Sequence, residues 1–146
     1  MKKPKHETMH YMRTIKELII HCSATPAGMD IGAKEIDRWH QQRGFKRIGY
    51  HYVIRLNGHV EEGRQLKDQG AHCEGHNAHS VGICYVGGFD AQRHPCDTRT
   101  PQQKESLRHL VAALQVMYPK ATIHGHNEFA NKACPCFDVR AEFRGV

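Results

Sequence analysis

Long apolar runs are missing from this sequence, and none approaches the roughly 18 residues that a membrane-spanning helix needs. Internal repeats and linkers rich in proline, glycine or serine are missing as well, so the 146 residues predict one domain. The start, "MKKPKHETMHYM", has the positive charge of a secretory signal, but the following "RTIKELIIHC" is too short and interrupted for its apolar region. We therefore expect no membrane span and no Sec export signal.

Dense basic tracts are also scarce, since "KKPKH" near the N-terminus is the only one in a chain of net charge +6. This charge favours a polyanionic partner or environment, such as nucleic acid, an anionic membrane or an anionic cell wall. The other basic residues are scattered and do not alternate with aromatic residues, as they do on single-strand-binding surfaces. We therefore expect no nucleic-acid partner.

Paired C-x₂-C motifs, which mark zinc ribbons and fingers, do not occur among the six cysteines. A chain of this length is also not the small secreted format in which cysteines indicate a disulfide framework. Histidine is unusually common instead, with 13 residues, and neutral imidazole is the commonest metal ligand. A metal site is therefore the first hypothesis.

Short patterns along the chain predict strand, helix, hairpin, strand, helix and strand. The segment 15–22 and the segment 80–88 are apolar runs typical of buried strands, and Asn57-Gly58 predicts a hairpin with a type I′ turn. Trp39 is expected to pack a first helix on the sheet, and a final polar tail follows the last strand.

The clearest helix prediction is the segment "TPQQKESLRHLVAALQVMYP". Thr100 and Gln103 form a capping box around Pro101 at the first helical position. One apolar stripe follows, formed by Leu107, Leu110, Val111, Leu114 and Met117. The order of elements predicts a single α/β domain with a mixed central sheet flanked by helices, and sites in such sheets lie at strand ends.

Three candidate metal ligands follow from this arrangement. His21 ends the first strand, His126 follows the last strand, and Cys134 lies eight residues further along. Zinc accepts imidazole and thiolate, and three protein ligands leave a fourth position for a reactive water. Each residue alone also fits an ordinary structural histidine or a buried thiol, so the hypothesis depends on the combination.

The segments "IIHCSAT", "GYHYVI", "GAHCEGHN", "SVGICYVGG" and "HGHNEFANKACPCFD" together resemble the zinc-dependent N-acetylmuramoyl-L-alanine amidases. That family includes bacteriophage lysozyme-amidases and is related to animal peptidoglycan recognition proteins. The resemblance runs in order from about residue 15 to residue 138. It implies an amidase domain over residues 14–146, preceded by an N-terminal extension over residues 1–13.

The resemblance also implies roles for individual residues. The zinc ligands fall on His21, His126 and Cys134, with the spacing to the cysteine selecting His126 over His124. The catalytic residues fall on Tyr50 and Lys132. We expect the Lys132 side chain to share one face of an extended segment with Cys134 and to reach the oxyanion, and Tyr50 to stay protonated.

The resemblance also suggests two weaker candidates for substrate binding, and one cysteine departs from the family pattern. His72 and Asn77 lie in the loop that resembles the wall of the family's substrate groove. Cys136 has no role in the family pattern, and it is open whether it is a free thiol, a disulfide partner or a second ligand.

The resemblance implies a Zn²⁺-dependent enzyme that cleaves the amide between N-acetylmuramic acid and L-alanine in peptidoglycan. We expect a monomeric phage or prophage endolysin that stays in the cytoplasm until it is released to the cell wall. A resident autolysin or wall-recycling enzyme, a non-catalytic peptidoglycan-binding module of the same fold, and an endolysin that also regulates a phage RNA polymerase are the alternatives.

Overall fold

A five-stranded mixed sheet forms the centre of the fold across residues 13–146, which are the residues that this computed structural model describes. The strands are β1 (Glu17–Cys22), β2 (Thr25–Pro26), β3 (Tyr52–Ile54), β4 (Val60–Glu62), β5 (Ser80–Tyr85), β6 (Gly88–Phe89) and β7 (Thr122–Gly125). The helices are α1 (Ala33–Gln42), α2 (Pro101–Met117) and α3 (Val139–Glu142), with 3₁₀ turns at Asn77–His79 and His126–Glu128. The predicted α/β class is confirmed.

Strand order explains where a site can form. The sheet runs β4-β3-β5-β1-β7, and only the β3–β4 hairpin is antiparallel among its neighbouring pairs, while β2 and β6 pair separately. The carboxyl ends of β1, β5 and β7 therefore meet at one edge, where parallel α/β sheets place their functional side chains.

Each face of the sheet packs against a different helix. Leu18 and Ile20 of β1 face the apolar side of α2, where Leu114 is buried in the same cluster. Val53 and Cys84 belong to the second cluster, which includes Ile36 of α1. The alternation of side chains along each strand thus separates two cores.

Helix α2 begins as its sequence predicts. The Thr100 hydroxyl accepts the Gln103 N–H at 3.0 Å, and the Gln103 side-chain oxygen accepts the Thr100 N–H at 3.0 Å. The Gln103 amide also donates to the carbonyls of Ile54 and Val86, which ties the helix start to the sheet. The predicted apolar stripe is wrong at its last member, because Met117 is 50% exposed at the helix end.

The hairpin is present, but its predicted turn type is wrong. Among the described residues, Asn57 is not one of the non-glycine positions with positive φ, whereas Gly58 has φ of 90°. The Gly58 N–H donates to the Arg55 carbonyl at 2.8 Å, and the Arg55 N–H donates to the His59 carbonyl at 2.9 Å. This pattern is a three-residue loop with a glycine bulge, the next commonest hairpin connection.

The predicted extension, residues 1–13, lies outside the described residues except for Arg13, whose guanidinium donates to the carbonyls of Leu66 and Ser80. The expected polar tail is instead packed, because Val139 and Phe143 are buried in the α2-side core. No helix within residues 13–146 has the length and apolarity that crossing a bilayer requires.

Candidate metal centre and active site

The structure brings His21, His126 and Cys134 together at the carboxyl edge of the sheet. One ligand atom from each lies within 4.8 Å of the other two. His21 is the fifth residue of β1, and His126 begins the 3₁₀ turn after β7. Two imidazoles and one thiol are the donor set that zinc accepts, and three ligands leave one position open.

His72 fixes the orientation of the His21 ring. The Nε2 atom of His21 lies 2.8 Å from Nδ1 of His72, and Nε2 of His72 lies 3.1 Å from the Ser80 hydroxyl. The other nitrogen of His21, Nδ1, faces the Cys134 sulfur at 3.9 Å. A histidine that ligates through Nδ1 and donates from Nε2 has the arrangement by which neighbouring groups hold metal-binding imidazoles in place.

Glycine provides the space for this contact. A Cβ atom on Gly82, in the middle of β5, would lie 2.6 Å from the His72 ring. The ring therefore packs directly on the β5 backbone, where any side chain would displace it. His51 lies behind it at a ring distance of 6.0 Å and accepts the Gly82 N–H at 3.0 Å, so it contributes to the hydrogen-bonded interior.

The loop that carries Cys134 is anchored on both sides. Tyr85 is the last residue of β5, and its hydroxyl donates to the Pro135 carbonyl at 2.7 Å. The Cys22 N–H donates to the Cys134 sulfur at 3.2 Å, and such a hydrogen bond is stronger when its acceptor is ionised. Both strands that form the site edge thus hold the cysteine loop.

The position of His126 depends on Glu128 two residues later. The Glu128 carboxylate accepts the Gly125 N–H at 2.8 Å and caps the 3₁₀ turn that begins with His126. The same carboxylate is 2.7 Å from Nδ1 of His124, which also contacts the Thr122 hydroxyl. His124 is therefore occupied elsewhere, and the group that could hold a metal ion contains His126, whose role as a ligand stays a prediction.

Burial keeps the clustered imidazoles neutral. Desolvation holds the pKa of His21 well below its usual range, and the nearby His72 and His126 lower it further. Desolvation and the Lys132 ammonium also lower the pKa of His126, and desolvation lowers the pKa of His72 to about 3. Neutral imidazole is the form that binds a metal ion.

Tyr50 and Lys132 border the same three residues. The Tyr50 ring lies 5.1 Å from the His21 ring, and burial together with the neighbouring thiols of Cys84 and Cys134 raises the pKa of Tyr50 well above its ordinary value. The tyrosine therefore stays protonated, as expected. Lys132 is exposed and lines a cavity of about 250 Å³ together with Tyr50 and Cys134.

The segment around Lys132 is not extended, which corrects the predicted reason for its position. Its backbone forms bends, with the Lys132 N–H donating to the Ala130 carbonyl at 2.9 Å and the Cys136 N–H donating to the Ala133 carbonyl. The bends, rather than strand alternation, bring the lysine and Cys134 to one cavity.

A wider groove of about 590 Å³ extends from this edge. His72 and Asn77 line it, and the Asn77 side-chain oxygen accepts the N–H groups of His72 and Cys73 at 2.8 and 2.9 Å. Their predicted contact with substrate stays a prediction. The structure adds that Asn77 shapes the loop and that His72 reaches His21.

The groove wall also contains Arg43 and Phe129, which were not among the predicted site residues. Arg43 follows α1 and adds a second cation beside Lys132, and Phe129 follows the His126 turn. Helical periodicity beyond Trp39 places Arg43 on the same side as His40, and this was the available signal.

Cys136 is a free thiol in the structure. Its sulfur lies 3.9 Å from the Cys22 sulfur and 3.3 Å from the Gly88 carbonyl, and it is outside the metal-binding group. Burial raises the pKa of Cys136 to about 12, so this thiol stays protonated near neutral pH. Of the three possibilities raised by the sequence, the structure displays the free thiol.

Comparisons with known proteins agree with this geometry. The profile of the family described as N-acetylmuramoyl-L-alanine amidase matches residues 11–137. An endolysin of Enterobacteria phage K11 is 46% identical over 124 residues, which are 85% of this chain and 82% of the relative. A peptidoglycan-recognition protein of Drosophila melanogaster is 26% identical over 138 residues, covering 91% of this chain and 75% of the relative. The solved N-acetylmuramoyl-L-alanine amidase LysC from Clostridium intestinale URNW superposes with a TM-score of 0.76 at 29% identity, covering 90% of this chain and 83% of that one.

Proposed function

The chain belongs to the N-acetylmuramoyl-L-alanine amidase family, and from this premise we propose that it hydrolyses the amide between N-acetylmuramic acid and the L-alanine of the peptidoglycan stem peptide. Its similarity to phage endolysins favours a lytic role for this activity. The enzyme acts on the cell wall, stays in the cytoplasm until it is released there, and works as a monomer. Its positive charge suits an anionic wall.

The observation that carries the proposal is the convergence of His21, His126 and Cys134 at the edge of a groove that also contains Tyr50 and Lys132. The three ligand residues would hold Zn²⁺. When bound, zinc supplies a Lewis acid and lowers the pKa of a coordinated water to about 7.

The chain's own residues then position and stabilise the reacting groups. The Lys132 ammonium donates a hydrogen bond to the oxyanion that amide hydrolysis develops. The Tyr50 hydroxyl stays protonated and donates or orients at the reacting centre. His72 keeps the His21 ring in one orientation through the 2.8 Å contact between Nδ1 and Nε2.

A second function, peptidoglycan binding without cleavage, is favoured by the similarity to a peptidoglycan-recognition protein. The same fold and groove would serve it. The complete set of His21, His126, Cys134, Tyr50 and Lys132 favours catalysis, because binding alone needs neither a zinc thiolate nor an oxyanion donor.

Purified bacterial cell walls test the two functions against each other. The zinc-loaded protein should reduce wall turbidity and release stem peptides with free L-alanine amino ends, identified by mass spectrometry. A chelator should stop the release, and added zinc should restore it. If the protein has bound zinc and binds several wall types without cleaving them, the amidase proposal would be rejected in favour of peptidoglycan binding without cleavage.

A further inference from the structure

A second group of side chains that could hold a metal ion lies at the opposite end of β1 from His21. Glu17, His76 and His79 each offer one ligand atom, and these atoms lie within 4.8 Å of one another. The Glu17 Oε1 atom is 2.9 Å from Nδ1 of His76 and 3.4 Å from Nε2 of His79. In a tetrahedral zinc site with bonds of about 2.1 Å, neighbouring ligand atoms are separated by about 3.4 Å. The two distances to Glu17 are therefore close to this separation, and the two histidine nitrogens lie within 4.8 Å of each other.

The fold builds this group from two local features. Parallel pairing places Glu17 beside Ser80, so the residue before Ser80 lies at the start of β1. His76 and His79 are three residues apart around a 3₁₀ turn, in which side chains at positions i and i+3 lie one above the other. The Lys16 N–H donates to the His79 carbonyl at 2.8 Å and holds the turn against β1.

The three side chains are partly buried, so they are shielded from bulk water while an ion can still reach them. The side chains of Glu17, His76 and His79 are 17%, 26% and 35% exposed. The His76 ring stacks on Phe129 with ring centres 4.0 Å apart, which limits its rotation. A preformed ring orientation reduces the entropy lost when a ligand binds.

From this geometry we infer that Glu17, His76 and His79 form a second site for a divalent transition-metal ion of the zinc class. Two imidazoles and one carboxylate are an established zinc donor set, and a fourth position remains for water. Glu17 and His21 are four positions apart along β1, a distance of about 13 Å at 3.3 Å per residue, so the two sites do not share an ion.

The second site would brace one wall of the groove. Asn77 and Phe129 both line the groove. Asn77 follows His76 in the sequence, and Phe129 stacks on the His76 ring. An ion bound here links the loop before β5 to β1. The assignment stands on its own ligand geometry and does not depend on the amidase proposal.

Cobalt titration of the metal-free, full-length protein separates the two sites. Co²⁺ bound by Cys134 produces thiolate-to-metal charge-transfer absorption in the near ultraviolet, whereas the Glu17 site has only nitrogen and oxygen ligands. We expect two equivalents in the parent protein. Glu17→Gln with His79→Gln should bind one equivalent and keep the charge-transfer band, and Cys134→Ser should bind one equivalent without it.

Retention of the band would show that the Glu17→Gln/His79→Gln protein is folded. His109→Gln is the matched control, because His109 is an exposed histidine on α2 and its loss should leave two equivalents. One equivalent in the parent that carries the charge-transfer band would mean that Glu17 and its histidines form only hydrogen bonds, and the second site would be rejected. Two equivalents in the Glu17→Gln/His79→Gln protein would place the extra ion elsewhere and reject it as well.

Discussion

The two faces of the central sheet share the same strands but differ in chemistry. On the α2 side, Leu18 and Ile20 of β1 pack into a continuous apolar core. On the α1 side, His21 alternates with them and meets His72 and His126 at ring distances of 4.8 and 4.6 Å. The comparison indicates that one face mainly stabilises the fold, whereas the other gives up apolar burial to hold a site.

The α1 side compensates for its polar side chains by pairing them. Gly82 leaves room for the His72 ring, and that ring links His21 to the Ser80 hydroxyl. Every buried side-chain nitrogen and oxygen within residues 13–146 has a hydrogen-bond partner. Paired polar groups avoid the cost of burying an unsatisfied donor or acceptor, so this face can carry imidazoles inside the protein.

The largest effect on activity is expected for His126→Ala. Removing one of three ligands should abolish metal binding at Cys134 and reduce wall cleavage to background. His124→Ala is the matched control, because His124 contacts Glu128 and Thr122 instead of the ligand group. The thiolate–cobalt absorption and the cleavage rate should disappear in the first variant and persist in the second. The reverse result would reassign the ligand.

Lys132→Ala should separate metal binding from catalysis on the same face. Loss of an oxyanion donor is expected to lower kcat by about 10²–10³-fold. Bound metal should remain, because the lysine is not in the ligand group. Lys120→Ala, at an exposed position after α2, serves as the control and should keep the parent rate. A parent-like rate for Lys132→Ala would remove the lysine from the mechanism.

Leu114→Ala tests the opposite face. Leu114 is 2% exposed, so its truncation should lower the free energy of unfolding by about 2–5 kcal/mol while the folded enzyme keeps its specific activity. Val116→Ala, at a position 83% exposed, should change neither quantity. Urea unfolding and wall cleavage at low temperature measure the two effects. Loss of specific activity in folded Leu114→Ala would show that the faces are coupled.

Mild acid should weaken the fold through the α1 side, and this is the smallest effect. Burial lowers the pKa of His40 to about 4, below the value near 6.5 of an unfolded histidine. As pH falls below about 6.5, the unfolded chain takes up the proton first, so the free energy of unfolding decreases. In the parent protein the Gly49 N–H donates to Nδ1 of His40 at 2.9 Å. His40→Asn keeps an acceptor for this N–H but removes the titrating imidazole. Its unfolding free energy should fall less steeply between pH 7.5 and 5, and an equal slope would contradict the assignment.

The helix start and the strands could be predicted because they depend on residues that are close together in the sequence. The start of α2 follows from Thr100 and Gln103, and the strands follow from short apolar runs. The hairpin turn could not be fixed in this way, because Asn57-Gly58 suits more than one loop length and the structure gives only Gly58 positive φ in that loop. Met117 lies where the helix leaves the core, a position that periodicity alone does not reveal.

The sequence indicated which residues belong to the site, but not the contacts that depend on how distant segments pack together. The grouping of His21, His126 and Cys134 was predicted from their places at the strand ends and then from the resemblance, and the structure brings them together. The contact between His21 and His72 depends on the space above Gly82, which the sequence does not display. The approach of Glu17 to His79 depends on the β1–β5 register, which pairs residues 63 positions apart, Glu17 and Ser80.

The most direct test of a catalytic metal site on the α1 side compares two cysteines separated by one residue. Cys134→Ser and Cys136→Ser should be loaded with cobalt, and the thiolate charge-transfer absorption and the cleavage of purified walls should be measured on the same samples. We expect Cys134→Ser to lose both signals and Cys136→Ser to retain both, because Cys136 is outside the group that could hold the metal. Retention of both signals by Cys134→Ser would show that Cys134 is not a ligand of a catalytic metal.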